Sequence, residues 1–170
     1  ISMPVDFFIA KCQIENVSDR EFGICDDDDE GTKTHAYIDT EDRNKWIATV
    51  KNATDKPINF TAVDNCVEIL KENGEMDFRC DAMLTNEDHI VFVELKNQAA
   101  GWITHAVDEQ LQASIDHFKA NHDITKYKYK RAFACNKRFP NFRASYKDKM
   151  AAFYKKNNIR LNLTTEIVIK

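Results

Sequence analysis

Apolar and polar positions change period several times along the chain, and each change marks an element. Val5–Ile14 is β-leaning and predicts an outer strand. Lys45–Lys51 and Ile58–Val63 predict two strands joined by the turn Asn-Ala-Thr-Asp-Lys-Pro. From Arg79 to Lys96, two apolar runs flank the polar turn Thr85–Asp88, the pattern of a hairpin. The second run, Ile90–Val93, continues straight into Glu94-Leu95-Lys96. Alternation along a strand puts Phe92, Glu94 and Lys96 on one face, and Val91, Val93 and Leu95 on the other. A continuous apolar run implies a strand covered on both sides. Opposite charges at its end then need partners or a task.

After Lys96 the period lengthens. Trp102–Lys119 sets Ile103, Val107, Leu111, Ile115 and Phe118 on one stripe, an amphipathic helix with Gln110 on the flank of that stripe. Arg131–Cys135 reads as a strand. Phe142–Lys156 reads as a second helix with Phe142, Tyr146, Met150 and Phe153 inward, and Ile159–Leu163 and Glu166–Ile169 as strands. Asp64–Leu70 has two readings. A strand paired with Met76–Leu84 through Asn73-Gly74 is favoured, and a helix ended by Gly74 is the rival, since Val63, Val67 and Leu70 also fit helical spacing. With no repeat and no Gly/Ser linker, the order predicts one α/β domain over 1–170. Its core is a central mixed β-sheet flanked by helices over about 61–170, preceded by a β-rich N-terminal elaboration over about 1–60.

Composition narrows the classes. Hydrophobic residues at 43% and charged residues at 31% are ordinary for a globular domain, and no apolar run approaches the roughly 18 residues of a membrane span. The start, Ile1-Ser2-Met3-Pro4, has neither the basic residues nor the apolar segment of a secretory leader. Cys12, Cys25, Cys66, Cys80 and Cys135 are odd in number, widely spaced and in no Cys-x-x-Cys pair. They are expected to be free thiols in a reducing, cytoplasmic compartment, with no zinc site. Net charge is only −4, but Glu15–Asp42 holds eleven acids against Arg20 and Lys33, while Lys119–Arg160 holds thirteen Lys and Arg against Asp123 and Asp148. A basic half can face phosphates, or attract the acidic half or a partner chain. Asp26–Glu30 begins like a calcium loop, but its twelfth position is Tyr37 where a bidentate Glu is required, so a solvated acidic loop is expected.

The chemistry concentrates at Asp81, thirteen residues before Glu94, and at Glu94-Leu95-Lys96. Folding back at Thr85–Asp88 brings Asp81 toward the end of the second strand if the strands splay through twist. Two carboxylates with the Leu95 carbonyl make an all-oxygen site suited to Mg²⁺ (or Mn²⁺), beside an ammonium at Lys96. Asp77, four residues before Asp81, is a rival first acid. Asp64 and Glu68 are candidate further ligands, or partners of Lys71 or Arg79. Lys128, Lys130 and Arg131, interleaved with Tyr127 and Tyr129, read as a nucleic-acid surface, or as an edge kept from pairing by lysines. Lys137 and Arg138 extend the basic set.

These residues resemble the PD-(D/E)XK nuclease superfamily. Asp81 matches its first acid, Glu94 and Lys96 its E-x-K pair, and Gln110-Leu111 the helix glutamine of exonuclease-like branches. Cys80 stands where the name-giving proline would be. With Asp64-Asn65-Cys66 and Arg138-Phe139-Pro140, the likeness extends from about Phe60 to the C-terminus, toward small stand-alone bacterial members. The resemblance implies a restriction-endonuclease-like core and metal-dependent hydrolysis of phosphodiesters, in DNA before RNA. Asp81, Glu94 and Leu95 would hold Mg²⁺ or Mn²⁺, with Asp64 as a further candidate ligand, and Lys96 and Gln110 would support. Two other classes stay open. One is an inactive nuclease-fold binding protein of defence-system or immunity type, and the other is a homo-oligomer subunit joining acidic and basic halves.

Overall fold

The hairpin at the middle of the chain forms the centre of the sheet. In the computed structural model, which describes residues 4–27, 33–141 and 144–170, β1 (Gln13–Val17), β5 (Ile58–Ala62), β6 (Ala82–Thr85), β7 (His89–Lys96), β8 (Tyr129–Asn136) and β9 (Arg160–Asn162) make a six-stranded sheet in that order. It is antiparallel from β1 to β7 and parallel from β7 to β9. The parallel pairs need crossovers. A π-helical segment His105–Leu111 running into α1 (Gln112–Asn121) supplies the first, and α2 (Lys147–Asn157) the second. A second sheet orders β10 (Glu166–Ile169), β4 (Ala48–Asn52), β2 (Glu21–Cys25) and β3 (Tyr37–Asp39).

The molecule is therefore α/β, with helices on one face of the six-stranded sheet and the smaller sheet on the other. Ile90 and Phe92 of β7 pack in a core with Val107, Leu111, Ile115 and Phe118. Val91, Val93 and Leu95 pack in a second core with Phe22, Ile24, Val50 and Ile167. Both faces of β7 are covered, as its unbroken apolar run predicts. The acid-rich N-terminal region is tied to the far end of the chain, because β10 runs parallel to β4.

Several expectations are corrected. Val5–Ile14 is not a strand until Gln13: Asp6 Oδ1 accepts from the Phe8 amide at 2.8 Å, a 3₁₀ turn follows at Ala10–Cys12, and buried Phe7 meets Phe118 edge-on at 5.3 Å. The strands at Ala48–Asn52 and Ile58–Ala62 exist but belong to different sheets, separated by a turn that the Asn52 side chain ties to Thr54 and Lys56. Asp64–Leu70 is neither strand nor helix. Asn65 takes a left-handed φ of 61° that breaks an extended run, and the expected hairpin is reduced to the bridge Leu70–Met76 with scattered bonds, such as the Asp64 amide donating to the Cys80 carbonyl at 3.1 Å. Cys12 and Cys66 form a disulfide, their Cα atoms 5.8 Å apart, while Cys25, Cys80 and Cys135 are free and buried. The expectation of five free thiols fails, and with it the argument from cysteines for a reducing compartment. A separation of 54 residues hid the pair. Asp28–Glu30 of the acidic loop and Phe142 lie outside the described residues. No described helix is long and apolar enough to cross a membrane.

Gly23 of β2 shows how tightly the outer face of the smaller sheet is covered. A Cβ there would overlap the Trp46 indole, which is buried, donates from Nε1 to Asp39 at 2.8 Å and carries Arg43 at 4.7 Å from its ring centroid. Gly23→Ala is expected to lower stability by about 1–3 kcal/mol through overpacking, measured by urea unfolding. Adding Trp46→Leu should recover part of that loss, and strict additivity of the two changes would refute the contact.

Candidate active site

Asp81 and Glu94 meet where the β6–β7 ladder ends. Ala82 pairs with Val93 and Met83 with Phe92 in the antiparallel hairpin, and Ala82–Val93 is the last pair of that ladder. Asp81, one residue before β6, is bonded as in a β-bulge, which re-aims its side chain toward the end of β7. Just beyond the last ladder pair, Asp81 Oδ2 accepts from the Leu95 amide at 2.7 Å, in place of a backbone carbonyl. The Asp81 amide itself donates to the Val93 carbonyl at 3.1 Å.

Asp64, Asp81, Glu94, Leu95, Lys96 and Gln110 all line one cleft of about 520 Å³. Gln110 lies in the π-helical segment, a local widening often found at functional positions. One turn later, Ser114 Oγ accepts from the buried Cys80 amide at 2.8 Å, docking the helix against the residue before Asp81. On the other side, Asn136 pairs in register with Lys96, and its side chain bonds Gln98 O at 2.8 Å and the Arg138 amide at 3.1 Å. That bracket holds the chain where it leaves β7. Asp26 and Asp27, from the end of β2, form the remaining acidic wall.

Burial sets the electrostatics. Glu94 is wholly buried, Asp81 nearly so. Burial first, then the Asp81 charge beside it, raises the Glu94 carboxyl well above its ordinary value, and Lys96 offsets this only in part. Asp81 is also raised by burial, against hydrogen bonds with Glu94 and the Leu95 amide that pull it down. Two carboxyls this close retain a proton where isolated carboxylates have lost theirs. Glu94 Oε1 accepts from the Leu95 amide at 3.3 Å, but Glu94 Oε2 and Gln110 Oε1 are buried with no hydrogen-bond partner among the described residues. Buried lone pairs facing a cleft call for a donor or a cation. Cys80, beside Asp81, is no nucleophile, since burial pushes its thiol up to about 12.

Other candidates divide clearly. Asp77 accepts from or pairs with His117 Nε2 at 2.8 Å and does not line the cleft, so Asp81 is the acid that faces Glu94. Asp64 lines the cleft but is held by Arg79 Nε at 2.8 Å. Lys128, Lys130 and Arg131 do not approach the cleft at all. Lys130 and Arg131 sit at the start of β8, paired in register with Ile90 and Val91, and Lys128 just precedes the strand, at the opposite end of the sheet. Lys137 and Arg138 follow the other end of β8, on the cleft side, where Lys137 Nζ donates to the Asn44 carbonyl. Ser114 and Asn136 went unnoticed in the sequence, because a single polar residue in an apolar helix or strand carries no spacing signal, and Asp26 was read there only as part of a solvated acidic loop. Among the described residues, no three His, Cys, Asp or Glu side chains stand ready to hold a metal ion. Two convergent carboxylates with an orphaned, buried Oε2 still suit Mg²⁺, which takes one or two carboxylates and keeps its waters. Compared with known proteins, the chain matches no family model, no curated protein and no solved structure.

The raised carboxyls have a consequence for stability. Below the ordinary carboxylate range both folded and unfolded chains hold the Glu94 proton, and no penalty arises. As pH rises above it, the unfolded chain ionises freely while the folded one keeps its proton, so stability falls until the raised value is passed. Glu94→Gln keeps the amide contact and removes the charge. It should raise the melting temperature at neutral pH by a few degrees, as about 1 kcal/mol does in a domain of this size. The gain should vanish in acid, and a variant less stable than the parent at neutral pH would refute the assignment.

Proposed function

We propose that the chain is a metal-dependent nuclease with a restriction-endonuclease-like core of the PD-(D/E)XK type, hydrolysing phosphodiesters in DNA before RNA. The observation that carries this reading is the meeting of Asp81 with Glu94 at the end of the β6–β7 ladder, in one cleft with Lys96 and Gln110. A divalent cation, Mg²⁺ or Mn²⁺, held by Asp81 and Glu94 with the Leu95 carbonyl, would supply Lewis-acid polarisation of a phosphoryl oxygen and a more acidic bound water. Asp81 and Glu94 would give up their shared proton to bind it. Asp64 would add a carboxylate only if Arg79 let it go. Lys96, beyond Glu94 on the same face, would orient the attacking water and offset charge on the phosphorane. The orphaned Gln110 Oε1 would accept a hydrogen bond from that water or from Lys96.

A second reading has its own support. Asp26, Asp27, Asp64, Asp81 and Glu94 oppose the single cation Lys96 in the cleft lining, so without a bound cation the cleft repels phosphates. The same charge suits a basic protein partner, which is the inactive nuclease-fold binding protein.

Incubation with single- and double-stranded DNA and RNA, with Mg²⁺ or Mn²⁺, separates the two. Cleavage of DNA is expected, with Lys96→Ala slower by about a hundredfold or more. No cleavage by the parent protein under any of these conditions would overturn the nuclease reading in favour of the binding one. Equal rates for parent and variant would assign the activity to something other than this cleft.

A further inference from the structure

The strongest feature outside the acidic cleft lies at the other end of β7 and β8. There a cleft of about 700 Å³ is walled by Lys128, Lys130, Arg131 and Arg160, with His89 among them and no carboxylate side chain in its lining. Its size falls within the usual range for a small-molecule site.

Two buried nitrogens in this lining lack hydrogen-bond partners among the described residues. His89 is nearly fully buried, and its Nε2 lies 3.0 Å from the Lys170 carbonyl, which assigns the ring proton there and leaves Nδ1 bare. Arg131 Nη2 is buried and makes no hydrogen bond, although a guanidinium offers five donors in a fixed fork. Burial and the Arg131 charge both push the His89 imidazole below its ordinary value. The two groups thus repel each other, offset in part by the Lys170 main-chain oxygen on the imidazole and by the Asp88 charge. The nearest acid in sequence, Asp88, is engaged by Lys56 at 3.5 Å. An unpaired, partly desolvated guanidinium beside an imidazole is an arrangement that a phosphate group would satisfy, accepting from Arg131 and favouring protonation of His89.

The rim carries the other half of a nucleotide site. Tyr129 stacks on His89 with ring centroids 4.7 Å apart, and both Tyr129 and Tyr154 are exposed. Lys128 lies over the first ring at 5.2 Å and Arg160 over the second at 5.5 Å. Exposed aromatic faces flanked by cations stack bases while the cations hold phosphate. Lys130, by contrast, spends its ammonium on the Tyr127 carbonyl at 2.8 Å, and β8 is an interior strand between β7 and β9, so the reading of an edge kept from pairing by lysines fails.

We propose that this basic cleft is a second binding site, specific for the phosphate of a nucleotide, with Arg131 and Arg160 as the phosphate-holding residues and Tyr154 as the base platform. It is separate from the acidic cleft: Glu94 stands five positions after His89 along β7, a span of about 16 Å at the rise of a strand. The ligand is a free mononucleotide or the phosphorylated end of a strand, which share this chemistry.

Calorimetric titration in the presence of a chelator, so that the acidic cleft holds no cation, tests the proposal independently of nuclease activity. The probes are inorganic phosphate, adenosine monophosphate, and one short oligonucleotide with and without a 5′-phosphate. Saturable binding of adenosine monophosphate is expected, tighter than that of inorganic phosphate. Arg160→Ala and Arg131→Gln should each weaken it roughly tenfold or more, while Glu94→Gln leaves it unchanged. Arg160 is exposed, so its removal does not threaten the fold and keeps the test valid if the Arg131 variant misfolds. Tighter binding of the phosphorylated oligonucleotide than of the mononucleotide identifies a strand end as the ligand, and the reverse order identifies the free nucleotide. Absence of saturable binding by any probe, or binding indifferent to Arg160→Ala, would overturn the proposal. Loss of binding in Glu94→Gln would do the same, by placing the ligand in the acidic cleft.

Discussion

The hydrogen bond from the Leu95 amide to Asp81 Oδ2, at 2.7 Å, is the contact on which the candidate site depends. It forms where the β6–β7 ladder ends, so a side-chain carboxylate continues a backbone pattern. It lies just beyond the last ladder pair, Ala82–Val93, and holds Asp81 beside Glu94. Because β7 is covered on both faces, neither carboxyl can turn to solvent on the sheet side. The helix face is left to accommodate them. It does so with a π-helical widening at Gln110 and with Ser114, whose hydroxyl accepts from the Cys80 amide. A conventional apolar stripe through this stretch would bury two acids without a partner, at a cost of several kcal/mol.

Legibility in the sequence tracked how local the deciding interaction was. β7 was readable because eight residues of one strand carry their own alternation, and the stripe from Val107 to Phe118 because it repeats. Asp81, Glu94, Lys96 and Gln110 were readable as a set, and their convergence follows from the hairpin. What was not readable is decided by distant pairs. Asp64–Leu70 looks like a strand until Arg79 takes Asp64 and Asn65 turns left-handed. The partition of β4 and β5 into separate sheets depends on β10, more than a hundred residues later in the chain. Cys12 and Cys66 gave no spacing signal for their disulfide. The choice of Asp81 over Asp77 needed the His117 contact, which joins residues 40 apart.

Charge is sorted along the strands rather than between the halves of the chain. The basic residues grouped by sequence fall at both ends of β8, and the acids of the N-terminal region reach the cleft through Asp26 and Asp27. The parallel register of β7 and β8 runs unbroken from His89–Tyr129 to Lys96–Asn136. It holds a cation-walled cleft at one end and a carboxylate-walled cleft at the other, with apolar core between them. Each cleft then attracts its own ligand, a polyanion at one end and a metal ion at the other, and does so most at low salt.

Placement of the acids also explains why the sheet is mixed. In α/β sheets, the open crevices lie beyond the carboxyl ends of parallel strands, because the crossover helices leave there. β7 and β8 follow that rule, and Glu94 and Lys96 stand at such an end. A second carboxylate at the same height has to come from the amino end of a neighbour if that neighbour runs the other way. β6 does run the other way, and Asp81 immediately precedes it. An all-parallel sheet would have put the residue before β6 at the far end, beside His89. The reversal of direction at Asn86–Asp88, held by Asn86 Oδ1 accepting from the amides of Asp88 and His89 at 2.9 and 2.8 Å, is thus what turns two ordinary strand ends into one pair of facing carboxyls.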